Sequence, residues 1–442
     1  MTTSAAADIA LPAEEQRRQL RRAVIASTVG TTIEWYDFFL YSTVTGLVFA
    51  KLYFPQSDPL VGTLQAFGIY AVGFVARPVG AAIFGHYGDR IGRKSTLIAT
   101  LLLMGLATFA VAFVPTYASI GIWGAVLLTV LRFLQGVGVG GEWGGSVLLS
   151  MEWSRTNAHR GFIASWPQWG VPAGLFLANL AVLAFSDLSG DAFLAWGWRI
   201  PFALSIVLVA IGLYIRLNIL ETPIFQRLVA EKKVERAPMT EVIRRQPREI
   251  ILSAFSRMGE QAPFYIFTAF IFTYGTETLK MSRDVLLTAV MTAAVLSFFT
   301  IPLFGRKRMY LIGAAVTGVF GFVYFALLDT AVPTWIFLAI VLSLVPHDMM
   351  YGPQAALIAE SFTARLRYSG ASLGYQLASI IAGGPAPLIA TALFARYHSG
   401  YAIAGFILGC AIVSLIASAM LNDYTNKDIS QEHHYGEDHA HA

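Results

Sequence analysis

Apolar runs of about 20 residues alternate with short polar connectors along most of the chain. Twenty residues of helix rise roughly 30 Å, the thickness of a bilayer's hydrocarbon core. The runs fall at 23–50, 61–84, 95–114, 120–141, 160–185, 200–218, 249–275, 285–304, 309–328, 333–354, 369–393 and 401–421. They predict an all-α membrane protein with twelve transmembrane helices. A charged stretch, Glu221 to Arg248, separates the sixth run from the seventh. The expected organisation is therefore an N-terminal tail (1–22), a six-helix bundle (23–218), a central loop (219–248), a second six-helix bundle (249–421) and a His-rich tail (422–442). The halves echo each other. Glu142, Glu152, His159, Arg160 and Gly161 follow the fourth run, and Glu360, Arg365, Arg367, Ser369 and Gly370 follow the tenth. Two pseudo-symmetric bundles imply a transporter whose site lies between rocking halves.

Composition agrees with the pattern. Of 442 residues, 56% are hydrophobic and 13% charged, against about 25% charged in soluble domains. The single cysteine, Cys410, excludes a disulfide within the chain and a several-cysteine zinc site. The basic residues are placed asymmetrically. Only Lys51, Arg199, Lys280, Arg283 and Arg396 fall in the loops of one side, so the other side, with both termini, is cytoplasmic. This bias accounts for the net charge of +4 without a nucleic-acid partner. The first run is too long for a signal-peptide core and reads as a retained helix.

Two motifs are specific. Gly85-His-Tyr-Gly-Asp89-Arg90-Ile-Gly92-Arg93-Lys94 lies between the second and third runs, and Arg132-Phe-Leu-Gln135-Gly136-Val-Gly138 lies within the fourth. They resemble the G-x-x-x-D-R-x-G-R-K loop and the R-x-x-Q-G-x-G motif of the major facilitator superfamily, the latter associated with proton-coupled members. The glycines of the second motif do not form a dinucleotide loop, because no strand precedes them. Glu34-Trp35-Tyr36-Asp37-Phe38, Gly140-Gly141-Glu142-Trp143, Trp198-Arg199-Ile-Pro201, Glu221-Thr222-Pro223, Ala262-Pro263-Phe264-Tyr265 and Arg367-Tyr368-Ser369-Gly370 are similar to signatures of the metabolite:proton symporter family. That resemblance implies a secondary active transporter in a bacterial inner membrane, working as a monomer in the lipid bilayer, with protons and a small metabolite as partners. It implies no cofactor beyond the proton gradient and no enzyme activity. Known members carry 2-oxoglutarate, citrate, shikimate, proline or betaine.

Ionisable residues inside the runs mark the candidate site: Glu34, Asp37, Arg77, Arg132, Arg257, Glu260, His347 and Asp348. An Arg or Asp at mid-membrane costs about 2.5–3.5 kcal/mol on insertion scales, so none is expected to face lipid. Glu34, Asp37 and Tyr41 share one helix face by spacing. Arg77 and Arg132 are candidate anchors for a substrate carboxylate, with Tyr41, Gln168 and Tyr375 beside them. Asp37 or Glu34 is the candidate proton carrier, and Glu260, His347 and Asp348 are further candidates. Gly85, Asp89, Arg90, Gly92, Arg93 and Arg257 are the candidate gate. Structural ion pairs holding the bundle, Arg257–Glu260 among them, are the plainer alternative. Trp166, Trp169, Phe264, Tyr265 and Tyr351 suit either stacking on a substrate or packing. The tail histidines 433, 434, 439 and 441 suit a solvated end or a metal chelator.

One departure stands out. Where the second half should repeat the Asp-Arg loop, the chain runs Ile301-Pro302-Leu303-Phe304-Gly305-Arg306-Lys307-Arg308, without the Asp. Proton symport of an organic acid therefore stands beside two alternatives: an uncoupled facilitator or exchanger, and a non-transporting homologue disabled by the shortened loop.

Overall fold

A computed structural model describes residues 12–153, 160–301 and 307–424. His159, the connector residues 302–306 and the His-rich tail from residue 425 lie outside the described residues. Among the described residues there is no strand, and twelve long helices follow one another. They are α1 (Ala13–Val44, prolonged through a π-helical turn, Thr45–Phe49, and Ala50–Tyr53), α2 (Pro59–Ile91), α3 (Arg93–Val111), α4 (Trp123–Met151), α5 (Gly161–Gly197) and α6 (Arg199–Leu217). After the central loop come α7 (247–278), α8 (Arg283–Thr300), α9 (Lys307–Leu328), α10 (Pro333–Glu360), α11 (Arg367–Tyr397) and α12 (Gly400–Met420). Two short helices, Pro223–Ala230 and Pro238–Arg245, occupy the central loop.

Nine described helices are long and apolar enough to cross a membrane. Those outside the nine are α1 and α7, which carry Glu34 with Asp37 and Arg257 with Glu260, and α8, the shortest span. Buried carboxylates lower the hydropathy of the helices that bring polar groups to the centre. Within the first bundle α2 packs on α4, α1 on α5, and α3 on α4 and α6; within the second, α9 packs on α10 and α12. The close α2–α4 approach requires Gly136 and Gly140, whose missing side chains would collide with the carbonyls of Gly73 and Arg77. Gly92, at φ 110°, makes the break between α2 and α3 in a region that other residues rarely adopt.

Several boundaries differ from the expected ones. The helix α4 continues to Met151 rather than ending near 141, α10 reaches Glu360, and α2 runs to Ile91, so Asp89 and Arg90 form its last turn instead of a loop. Hydropathy stops at the first charged residue, but a helix continues wherever that charge finds a partner. Glu142 found one in Arg216 of α6, an ion pair in which both side chains are buried, and Glu142 also accepts from Thr100 at 2.8 Å and Ser146 at 3.0 Å. Arg216, near the end of the sixth run, is buried inside the bundle. Beyond the connector, Lys307 donates to the carbonyls of Ala419 (3.0 Å) and Leu421, and Arg248 to that of Met420 (2.8 Å), which caps the C-terminus of α12.

Replacing Arg216 with Ala leaves the Glu142 carboxylate buried and uncompensated. The expected loss is about 3–5 kcal/mol of stability, read as a lowered midpoint of thermal unfolding in detergent. Restoring neutrality with Glu142→Gln in the same chain should recover a large part of it.

Candidate functional site

The two bundles meet on the basic side, which bears the central loop, through a network of buried polar contacts. Asp89, in the last turn of α2, accepts the backbone N–H of Tyr368 at 3.2 Å and of Ser369 at 2.9 Å. Those N–H groups belong to the first turn of α11, where no carbonyl of the helix itself can take them. Arg93 sits 3.3 Å from Asp89 and 3.3 Å from Glu152, and donates to the carbonyl of Ala364 in the second bundle at 3.3 Å. Arg367 approaches Glu152 from the second bundle at 3.7 Å. Glu221, in the central loop, accepts the N–H of Lys94 at 3.1 Å, and burial pushes its carboxyl above the ordinary value. Gly85 lets α2 lie against Ser369, since a Cβ there would stand 2.8 Å from its Cα. Arg90 takes no part in this seam; it is exposed, with His86 at 3.3 Å.

Deeper in, the seam becomes aromatic. Trp143 of α4 stacks on Tyr375 of α11 with centroids 3.5 Å apart, and its indole N–H donates to Gln168. The Gln168 amide in turn donates to the carbonyl of Tyr351 at 3.0 Å. The opposite contact of Tyr375 is the Arg257 guanidinium, 3.3 Å from the ring centroid. Gln168 and Tyr375, expected beside a substrate, are thus engaged in bundle contacts in this closed arrangement. Trp35, Phe38 and Phe74 of the first bundle face Phe264 and Tyr265 of α7, with centroids 5.5–6.3 Å apart.

The buried arginines divide into two groups. Arg93, Arg216, Arg257 and Arg367 each pair with a buried carboxylate. Arg77 and Arg132 form no ion pair among the described residues. Arg77 lies over the rings of Phe38 (4.7 Å), Phe74 (4.8 Å) and Trp35 (5.8 Å). Arg132 lies over Tyr41 (4.5 Å), Tyr70 (4.7 Å) and Phe38 (5.3 Å), so both guanidinium groups rest against Phe38. Cation–π contact offsets part of the desolvation of a guanidinium without cancelling its charge.

The shared face expected for Glu34, Asp37 and Tyr41 is divided among different partners. Asp37 turns into the first bundle, where Thr108 of α3 (2.8 Å) and Ser205 of α6 (3.1 Å) donate to it. Gln135 donates to the Thr108 hydroxyl at 2.7 Å and accepts from Arg132 at 3.4 Å, so a polar chain links Asp37 to Arg132. One carboxylate oxygen of Glu34 is buried without a hydrogen-bond partner. In the second bundle, Arg257 pairs with Glu260 at 3.2 Å. His347 lies 3.1 Å from Glu260 and 3.0 Å from Asp348, and Thr300 donates to Asp348. Sequence reasoning missed Thr108, Ser205 and Thr300. A hydroxyl mid-helix bonds to its own backbone as readily as to a carboxylate, so spacing gives no sign of its partner.

Comparison with known proteins agrees with this architecture. The sugar (and other) transporter family model matches residues 22–249. The chain is 39% identical to the shikimate transporter of Escherichia coli K12, over 91% of this chain and 94% of that protein. It is 37% identical to the inner membrane metabolite transport protein YhjE of the same organism, over 92% and 95% of the two chains. With the Escherichia coli K12 proline/betaine transporter the identity is 29%, over 93% and 85%. Its fold is similar to that of the proton:xylose symporter XylE bound to 6-bromo-6-deoxy-D-glucose, with a TM-score of 0.74 at 18% identity, over 96% and 100% of the two chains.

Substituting Asp89 with Ala strands two N–H groups of α11, a penalty of about 1–3 kcal/mol on the closed seam, or roughly a 5- to 150-fold rise in its open population. In a chain with Cys410 replaced, the labelling rate of Ser372→Cys by a water-soluble thiol reagent should rise by that factor. An unchanged rate would show that Asp89 does not hold the seam.

Proposed function

The chain belongs to the metabolite:proton symporter family of the major facilitator superfamily, and from that premise we propose that it imports a small carboxylate together with protons by alternating access. The observation that carries the substrate class is the pair of buried, unpaired guanidinium groups, Arg77 and Arg132, on a shared aromatic floor. A carboxylate entering between the bundles would supply the missing counter-charge, and an aromatic lining suits a substrate with a ring or an apolar body. Shikimate, which names one relative, has both features.

Coupling follows from charge. Asp37 is tied to Arg132 through Thr108 and Gln135. When a substrate carboxylate engages Arg132, the positive charge that favours ionised Asp37 is shared, and protonation of Asp37 becomes easier. Glu34, which has one carboxylate oxygen without a hydrogen-bond partner, is the second candidate carrier. Proton and substrate therefore favour each other's binding, and release of one promotes release of the other. Rocking then requires the Asp89–Arg93 seam to part on the basic side, with Arg257 holding α7 to α11 inside the second bundle. In this reading the basic side is cytoplasmic, with both termini there, and the monomer in a bacterial inner membrane is the working unit, powered by the proton gradient alone.

In proteoliposomes, a panel of labelled shikimate, mono-, di- and tricarboxylates and betaine should show one carboxylate accumulating above equilibrium under an inward proton gradient, and losing that accumulation with a protonophore. A gradient that changes the rate but not the final level would favour an uncoupled facilitator. Flux of no compound would favour a homologue disabled at the shortened connector.

Two substitutions separate the roles. Asp37→Asn should abolish accumulation while leaving exchange of labelled substrate intact; persistent accumulation would remove Asp37 from the coupling step. Arg132→Ala should raise KM roughly 10- to 150-fold, the loss of a charge-assisted hydrogen bond.

A further inference from the structure

The second bundle holds a buried polar chain that the substrate reading leaves unused. It runs from Arg257 to Glu260, from Glu260 Oε1 to His347 Nε2 at 3.1 Å, from His347 Nδ1 to Asp348 Oδ1 at 3.0 Å, and from Asp348 to the Thr300 hydroxyl. Helices α7, α10 and α8 each contribute. The imidazole is held between the rings of Phe264 and Tyr351, each with its centroid 4.9 Å away.

Its hydrogen bonds impose a proton count. A neutral imidazole has one N–H and one bare nitrogen, while an ionised carboxylate only accepts. Both ring nitrogens of His347 face a carboxylate oxygen. The two contacts are satisfied together only if the ring carries two protons, or if it carries one and a carboxyl carries another. In either case the triad holds one proton more than a neutral histidine between two carboxylates. With that proton, Arg257, Glu260, His347 and Asp348 sum to zero charge. Without it, the buried group carries a net negative charge, and a lone pair faces an anionic oxygen.

A small void adjoins this group. A pocket beside His347 and Asp348 is lined by Ser297 of α8, by Ile301 just after it, and by Val171, Pro172 and Leu175 of α5. The Ser297 hydroxyl is buried and has no partner, as a group beside a bound water would be. The pocket reaches Ile301, the residue that follows α8. Among the described residues, the charged or titratable groups in contact with the imidazole come from α7 and α10, namely Glu260, Asp348 and Tyr351, while α5 lines the pocket with the apolar side chains of Val171, Pro172 and Leu175.

We propose that Glu260, His347 and Asp348 form a second proton-loading site, in the bundle opposite Asp37, which exchanges its proton with water through the seam between α5 and α8. The proton arrives from water at a ring nitrogen of His347 and leaves the same way. When bound, it holds α7, α8 and α10 together; its loss breaks one of the two imidazole contacts and loosens the seam where α5 meets α8. The proposal rests on the reading of the chain as proton-coupled but requires no particular substrate.

The test uses the full chain in lipid nanodiscs, without substrate. With 15N-labelled histidine, the His347 resonances are identified by their loss in His347→Gln or, if that variant does not fold, by their displacement in Asp348→Asn, whose side chain faces the other ring nitrogen. Two outcomes are expected. The triad should release one proton as pH rises, seen as a change in the His347 ring nitrogens, and Glu260→Gln should move that change to lower pH, because a carboxylate favouring the imidazolium is gone. In a chain with Cys410→Ser, Ser297→Cys should react with a small methanethiosulfonate cation several-fold faster above the transition than below it, relative to a cysteine at exposed Tyr87. A His347 ring unchanged across the pH range, or unmoved by Glu260→Gln, would overturn the loading site. A Ser297→Cys that never reacts would overturn the water route. Failure of carboxylate uptake in proteoliposomes would leave these readouts standing, so the two readings fail separately.

Discussion

Inside a bilayer-spanning bundle every ionised group must find its counter-charge within the protein, because neither hydrocarbon nor bulk water can supply one. That constraint organises the interior. Glu142 answers Arg216, Glu260 answers Arg257, and Glu152 answers Arg93 and Arg367. The pairs of Glu142 and Glu152 tie together helices that hydrophobic packing alone would leave free to slide, since lipid is as apolar as the side chains it would replace, whereas Glu260 and Arg257 share α7. Arg77 and Arg132 depart from the rule. Among the described residues they rest on aromatic faces instead, and under the proposed function a carboxylate substrate would supply the missing counter-charge.

The same accounting explains why the structure closes where it does. On the basic side, Asp89 supplies negative charge to the N-terminus of α11, and Arg93 bridges Asp89, Glu152 and the carbonyl of Ala364. These contacts join backbone in one bundle to carboxylate or guanidinium in the other. They are strong in the absence of water and weak in its presence. The connector between α8 and α9 has no equivalent aspartate. Its basic residue Lys307 caps α12 within its own bundle, so the Asp-Arg latch is one-sided.

Irregular backbone accompanies the polar centre. Short π-helical turns interrupt α1 at Thr45–Phe49, α7 at Ile266–Phe270 and α11 at Ser379–Gly383. Such turns are common at functional positions because they shift the register of a helix without breaking it. The first two occupy corresponding helices of the two bundles, beyond Tyr41 and Tyr265 respectively.

Length and periodicity of the apolar runs were enough to determine the helix count, because the thickness of the bilayer sets the length of a span. The Asp-Arg and Arg-Gln-Gly motifs were legible for a related reason: close helix approach and tight turns demand glycine at set intervals, and glycine leaves a mark in the sequence. The eight ionisable residues were legible as a set, since charge within an apolar run is conspicuous. Their partners were not. That Asp37 looks toward Thr108 and Ser205, that Arg216 lies inside the bundle, and that Glu260, His347 and Asp348 join in one chain while Arg77 and Arg132 stay unpaired depends on how α1, α3, α4 and α6, and α7, α8 and α10, are rotated about their axes. Those rotations arise from packing between segments far apart in the chain, and only the tertiary structure decides them.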